Sequence, residues 1–211
     1  MKDLDNYSEL KGKLVEGLDE AINISRVQLS WMNLNNVKMI ECMVMMAKMN
    51  DKLVEFDISN SSITLANFKQ ICAAIGESRF INYVNFSGIN CLYQSNREKE
   101  MDLNEYTGTW YKSTMYRRKE DHEEIIGTLI DLIKNQKTLQ HLDLSNLQLQ
   151  KNILLLGPAI RESVSLLSVH LGLNDINLDD VQRFLVSMGI DYRDIGPDIA
   201  KQGCISDFPH A

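Results

Sequence analysis

The sequence predicts an α/β fold that is built from a repeated unit of one strand followed by one helix. An apolar-x-x-apolar-x-apolar pattern begins at Leu53, Ile81, Leu139 and Leu166, and helical stretches follow these copies. The first two starts are 28 residues apart, the last two are 27 apart, and the middle gap of 58 is close to two periods. A fixed period of this size is typical of repeat proteins. Because such units bury their apolar faces only by stacking, we expect one elongated array with an exposed sheet.

Length and composition exclude several classes of protein. The chain has 211 residues and is 44% hydrophobic, which suits a single domain. Its net charge is −7 and its 22 Lys and Arg residues are scattered, so we expect no nucleic-acid partner. No stretch approaches the ~20 apolar residues that a membrane span needs, and the first residues lack the apolar core of an export signal.

The four cysteines indicate the compartment. Cys42, Cys72, Cys91 and Cys204 are far apart, without the clustered pairs of a disulfide framework or the spacing of a zinc site. We therefore expect reduced thiols in an intracellular, cytoplasmic protein.

The first segment, residues 1–20, is predicted to form an amphipathic helix. Leu4, Tyr7, Leu10, Leu14 and Leu18 recur at steps of three and four residues, with charged residues on the other side. Such a helix would cap the open end of the array, which repeat proteins require for solubility. The alternative is a helix for docking or dimerisation.

The array itself is predicted over residues 21–189. A weak copy of the strand pattern at 22–24 suggests a fifth strand, and the helix of about 35–49 holds a run of methionines. Methionine fills gaps in cores, although Met-rich faces also form adaptable binding surfaces. Pro158 predicts that the fourth unit's helix begins late or is kinked. The pattern breaks over residues 92–121, a predicted insertion, and the tail at 190–211 is expected to be irregular because it contains Gly and Pro but no strand pattern.

Two copies of the pattern carry a resemblance to a known family. These copies are Leu139-x-x-Leu142-x-Leu144-Ser145-Asn146 and Leu166-x-x-Val169-x-Leu171-Gly172-Leu173-Asn174. With a full helix in each unit, the chain resembles the ribonuclease inhibitor-like subfamily of leucine-rich repeat proteins. The resemblance implies a curved, right-handed solenoid of about five repeats, with parallel strands on the concave side and helices on the convex side. The segment from Ser165 to Leu171 is also similar to repeats of ciliated-protist proteins, which implies a cytoskeletal or ciliary role.

The sequence departs from that family at the ninth position of the repeat. The family usually places Asn or Cys there, where the side chain satisfies backbone groups in the turn that leaves the strand. Here only Asn174 matches, so the earlier turns must find partners for their backbone groups elsewhere. The five ninth positions, by this alignment, hold Val27, Ser61, Ile89, Leu147 and Asn174.

The concave side of the predicted sheet is the first candidate for partner binding. Because side chains alternate along a strand, the third, fifth and seventh positions of each unit would line this surface, with Ala21, Asn23 and Ser25 in the first unit. It is polar and mildly acidic, with Tyr83 as its large aromatic residue, and it suits a basic or polar segment of a protein partner. The alternative is a solvated face without a ligand. The predicted contact residues are Glu55, Asp57, Ser59, Tyr83, Asn85, Ser87, His141, Asp143, Ser145 and His170.

The insertion is the second candidate, because it concentrates large aromatic residues on a long loop, where binding residues are common. Its charged flanks leave a partly disordered loop as an equal alternative. The predicted contact residues are Tyr93, Tyr106, Trp110, Tyr111 and Tyr116.

Enzymatic chemistry has weak support. His141, Asp143 and His170, together with Ser145, superficially supply metal ligands or a nucleophilic trio, but an open sheet of short side chains offers no enclosed pocket. We assign no catalytic residue, metal ligand or cofactor, since phosphate-loop and dinucleotide motifs are also missing from the sequence. The predicted function is a non-enzymatic protein-binding scaffold. A structural subunit of a larger assembly is the alternative, and a hydrolase or metal site is a remote one.

Overall fold

The computed structural model describes residues 24–92, 119–190 and 204–206. The strands are β1 (Arg26–Gln28), β2 (Glu55–Asp57), β3 (Ser62–Thr64), β4 (Tyr83–Asn85), β5 (Asn90–Leu92), β6 (His141–Asp143), β7 (Ser168–His170) and β8 (Cys204–Ser206). The α-helices are α1 (Val37–Met49), α2 (Leu65–Glu77), α3 (Lys119–Asn135), α4 (Gly157–Glu162) and α5 (Leu178–Ser187), and a 3₁₀ helix (Gln150–Leu156) precedes α4.

One sheet organises these elements. Its order is β1-β2-β4-β6-β7-β8, and the first five strands pair in parallel while β8 pairs antiparallel to β7. Each parallel strand is followed by helix, and consecutive helices pack against each other in chain order. The strands β3 and β5 form a separate parallel pair. The prediction of an α/β chain with a parallel sheet is confirmed.

The apolar pattern aligns across the sheet and forms the core. We count positions within five units that begin at Ile24, Leu53, Ile81, Leu139 and Leu166. The fourth positions pair side by side, and their side chains are all buried. Full burial of each such side chain contributes roughly 1.5–3 kcal/mol relative to exposure. These five residues are Val27, Phe56, Val84, Leu142 and Val169.

Three of the described helices, α1, α2 and α5, begin at side chains that cap their first turns. Asn36 Oδ1 accepts from Lys38 N and Met39 N at the start of α1, and Thr64 Oγ1 accepts from Asn67 N at the start of α2. At α5, Asn177 forms a capping box with Asp180. Each cap satisfies backbone donors that have no partner within the helix.

The methionines of α1 divide between the two interpretations of the run. Met43 is buried in the core, and Met39 and Met46 are partly buried against it. Met45 and Met49 are exposed, by 44% and 76%. The core interpretation therefore holds for three of the five residues only.

The predicted position of the first strand is wrong. The strand is Arg26–Gln28, and Arg26 pairs with Glu55, so the unit begins at Ile24 and its third and fifth positions are Arg26 and Gln28. The prediction placed Ala21 and Asn23 there, because Ile22 and Ile24 alternate like a strand. Ile24-x-x-Val27-x-Leu29 fits the pattern fully, and its ninth position is Met32 rather than Val27.

The C-terminal tail also differs from the prediction, since it contributes the strand β8 to the sheet edge. No copy of the apolar pattern surrounds this strand, and its pairing with β7 is a tertiary interaction. The prediction for Pro158 is confirmed, because α4 begins at Gly157 with the proline in its first turn. The predicted N-terminal helix at 1–20 lies outside the described residues. Among the described helices, none is both long enough and apolar enough to cross a membrane.

Two ninth positions satisfy the turns that leave the strands. Asn174 is fully buried; its Oδ1 accepts from Leu147 N and Leu149 N, at 2.9 and 3.2 Å, and its Nδ2 donates to Leu144 O and Leu171 O. The buried carboxamide thus joins the last two units.

The hydroxyl of Ser61 bonds the turn of the second unit to that of the first in a similar way, three units earlier. Ser61 Oγ accepts from Met32 N at 3.0 Å and donates to Leu29 O at 2.9 Å. A serine at the ninth position therefore replaces the asparagine that the family pattern led us to expect.

We expect Asn174→Ala to lower the free energy of unfolding by about 2–4 kcal/mol, because it leaves several buried backbone groups without partners. Urea unfolding would measure the loss. Asn82→Ala is the matched control, since the hydrogen bonds of Asn82 with described residues use its backbone groups, and it should cost less than ~0.5 kcal/mol. Equal losses from both substitutions would contradict the role of Asn174.

Candidate functional site

The structure brings the third and fifth positions of the five parallel strands onto one face of the sheet. Because the fourth positions point into the core, their neighbours on each strand point to the opposite side. We call this side, with the seventh positions that follow it, the polar sheet face. Across the strands the third positions are Arg26, Glu55, Tyr83, His141 and Ser168, and the fifth are Gln28, Asp57, Asn85, Asp143 and His170.

The fifth positions of the central strands form the turns that follow the strands. Asp57 Oδ1 accepts from Ser59 N at 2.8 Å, and Asn85 Oδ1 accepts in the same way from Ser87 N. Asp143 Oδ1 accepts from the backbone N–H of the residue two positions later, at 2.9 Å. Asp and Asn favour this local bond. The repeated Asp/Asn-x-Ser sequence therefore has a structural role, whatever else it does.

This role limits how much of the predicted contact surface a partner can reach. Asp57 and Ser59 are buried, although the sequence predicts both as contact residues. Asp57 Oδ2 also accepts from Asn85 Nδ2 at 3.3 Å, on the neighbouring strand. The carboxylate of Asp57 contributes charge to the face more than contact area.

The third positions make side-chain contacts between neighbouring strands in two groups, Arg26 with Glu55 and Tyr83 with His141 and Ser168. Arg26 Nε lies 2.5 Å from Glu55 Oε2. The rings of Tyr83 and His141 have centroids 6.2 Å apart and an interplanar angle of 41°. His141 Nδ1 is 2.5 Å from Ser168 Oγ. The half-buried Tyr83 thus lies near the middle of the face, beside the ring of His141.

Sequence reasoning missed Arg26, because the first strand was placed too early. The signal that could have found it is the pattern Ile24-x-x-Val27-x-Leu29, whose third position is Arg26. Its guanidinium neutralises Glu55 at the β1 edge, so the uncompensated negative charge of the face lies on the more central strands.

Tyr83 lies in a negative environment. Burial raises the pKa of its phenol, and the nearby carboxylates of Asp143, Asp57 and Glu55 raise it further by opposing a second negative charge. The phenol therefore remains neutral at physiological pH. The ring is half-exposed and bordered by carboxylates, which is an environment that attracts a cation.

The residues that the sequence offers for catalysis or metal binding make structural contacts instead. His141 contacts Ser168 and Tyr83, and Asp143 holds the N–H of Ser145. Within residues 24–92, 119–190 and 204–206, no group of three His, Cys, Asp or Glu side chains is placed to hold a metal ion. A shallow cavity of about 400 Å³ lies on α5, which is a different element from the strands of the polar sheet face.

The aromatic residues predicted in the insertion, Tyr93, Tyr106, Trp110, Tyr111 and Tyr116, lie outside the described residues. The structure fixes only the two ends of that segment, at β5 and at α3.

No protein-family model matches this chain, and no curated protein matches it significantly. The geometry of the polar sheet face therefore carries the functional argument.

We expect the pKa of Tyr83 to lie above the ordinary value of about 10 for tyrosine. Because the folded chain holds the phenolic proton more tightly than the unfolded chain, this group stabilises the fold below pH 10 and loses that contribution as the pH rises through its folded pKa. Ring-carbon NMR of ¹³C-tyrosine protein, assigned with Tyr83→Phe, would measure the titration.

Asp143→Asn should lower the pKa of Tyr83, since it removes a neighbouring charge. Asp131→Asn, at an exposed position of α3, is the matched control and should leave it unchanged. If the pKa of Tyr83 is the same in the Asp143→Asn variant, this carboxylate does not act on the phenol.

Proposed function

We propose that this chain is a leucine-rich repeat protein that binds another protein through its polar sheet face. The observation that carries the proposal is Tyr83, a half-buried aromatic ring near the centre of the face, with three carboxylates near enough to raise its pKa. Aromatic residues at the centre of an interface contribute much of its binding energy. A Lys or Arg side chain of a partner would find both a ring face and negative charge there.

The solenoid geometry belongs to the same proposal. Parallel strands in chain order, helix after each strand and a buried Asn174 in the last turn all support a ribonuclease inhibitor-like array. In that architecture the polar sheet face would be the concave side of a right-handed curve. The occupant would then be a basic or polar segment that lies against the strands.

A binding role fits the face better than catalysis does. Its polar groups are used in turns and in contacts between strands, and its surface is an open sheet. Catalytic sites usually need an enclosed pocket and a base within reach of a nucleophile. The free thiols of Cys42, Cys72 and Cys91 support an intracellular location.

The aromatic insertion would provide a second contact for the same partner. It leaves the array at β5 and returns at α3, between the units that hold Tyr83 and His141. The two contacts would thus lie on adjacent parts of one scaffold, although the insertion's own role stays a prediction.

Site-specific photocrosslinking tests the proposal. We expect a benzophenone amino acid at position 83 to capture a protein partner, because the ring lies at the centre of the face. The matched control places the same group at Phe80, an exposed aromatic residue in the turn before β4. With the partner purified, Tyr83→Ala should weaken binding by about 30-fold, or ~2 kcal/mol, while Phe80→Ala should change it by less than about twofold.

Two results would contradict the proposal. One is equal capture from positions 83 and 80, and the other is a partner whose affinity is the same for Tyr83→Ala and the unaltered chain. Adducts between copies of this chain from the exposed position Leu173, with none from position 83, would favour the structural-subunit alternative.

A further inference from the structure

The outer flank of α1 carries an apolar stripe that no described helix covers. The flank that faces α2 is identified by the ion pair between Lys48 Nζ and Glu77 Oε2, at 2.7 Å. Lys48 and Val44 lie on that flank. At 100° per residue, the mean direction of a stripe on the opposite flank is about 160° around the helix axis from theirs. We call it the methionine stripe, and it comprises Met39, Cys42, Met46 and Met49.

The methionine stripe is only partly covered. Met39 and Met46 pack partly against the core, Cys42 is half-buried and Met49 is 76% exposed. Trp31, in the loop between β1 and α1, is 80% exposed at the same end of the array. Soluble proteins rarely leave a contiguous apolar patch of this kind open, so its position at the end of the array calls for an occupant.

The chain enters the array beside one end of this stripe. Asn50 Nδ2 donates to Ile24 O at 2.8 Å, which holds the start of the first unit next to the C-terminal end of α1. Residues 1–23 precede that point, and they include the apolar series Leu4, Tyr7, Leu10, Leu14 and Leu18.

The length of the segment from Leu4 to Leu18 and the direction in which the chain enters the array are both compatible with docking on the methionine stripe. As a helix, the segment from Leu4 to Leu18 would extend about 21 Å, and α1 itself extends about 20 Å. The five residues between Leu18 and Ile24 can reach up to ~17 Å when extended. Leu18 would therefore meet the Met49 end of the stripe and Tyr7 the Met39 end, with the two helices parallel, as consecutive helices of an array are.

We propose that the apolar series Leu4–Leu18 of this same chain docks on the methionine stripe and covers the end of the array. This inference is independent of the function of the polar sheet face. It assigns the methionine stripe to an intramolecular interface rather than to a site for an external partner.

The thiol of Cys42 reports on the docking. In the full chain, Leu10→Gln with Leu14→Gln should raise the alkylation rate of Cys42 by about tenfold, equivalent to ~1.4 kcal/mol of docking free energy. Glu9→Gln with Glu16→Gln, on the opposite side of the predicted helix, is the matched control and should leave the rate unchanged. Peptide mass spectrometry would follow Cys42 and the buried Cys72 together, because protection of Cys72 shows that the array stays folded.

Two results of the alkylation experiment would overturn the proposal. An unchanged Cys42 rate in the Leu10/Leu14 variant, with Cys72 protected, would overturn the proposal. A Cys42 rate that rises when the unaltered chain is diluted would also overturn it, since a second copy would then be the occupant.

A second measurement applies if the Leu10/Leu14 variant also exposes Cys72. Under mild oxidation, Leu10→Cys should form a disulfide with Cys42 within one chain, while Glu9→Cys should not. Absence of that crosslink, or a crosslink only between chains, would overturn the proposal.

Discussion

The whole structure depends on the sideways hydrogen bonds that join each unit to the next beyond the ends of the strands. The N–H of each sixth position donates to the fifth-position carbonyl of the next unit, and the N–H of each eighth position donates to the seventh-position carbonyl, at 2.7–3.1 Å. The backbone is left-handed at the eighth position of each unit. Gly88 adopts that conformation freely, and a Cβ there would lie 2.3 Å from Asn60 Oδ1. The eighth positions are Trp31, Asn60, Gly88, Asn146 and Leu173, with φ between 54° and 65°.

Side-chain hydrogen bonds within the same turns make the polar sheet face a preformed surface. Asp57, Asn85 and Asp143 use their side chains to hold the turns, so the adjacent third positions are fixed by backbone that does not need to reorganise. A partner that docks against Tyr83 therefore incurs little cost for ordering this chain. The features that define the face electrostatically, such as the carboxylate of Asp57, are thus also the features that define its shape.

The sequence predicted the features that follow from its periodic pattern and missed those that depend on contacts between distant residues. The buried fourth positions and the start of α4 near Pro158 follow from local pattern. The pairing of β8 with β7, and the substitution of the Ser61 hydroxyl for an asparagine, depend on residues that are distant in the chain. The first strand was placed too early because Ile22 and Ile24 alternate as strand residues do, whereas the buried residue of the strand is Val27. On the polar sheet face, the sequence indicated the third and fifth positions of the last four units, but not that Asp57, Asn85 and Asp143 would hold the turns.

Amide hydrogen exchange, measured by NMR at the eighth positions, tests most directly whether the units are joined as described. The account predicts that the N–H groups of Trp31, Asn60, Gly88 and Asn146 are protected to similar degrees, because each donates to the following unit. Rapid exchange at Asn60 and Gly88, while the amides of α2 (Leu65–Glu77) remain protected, would contradict the account.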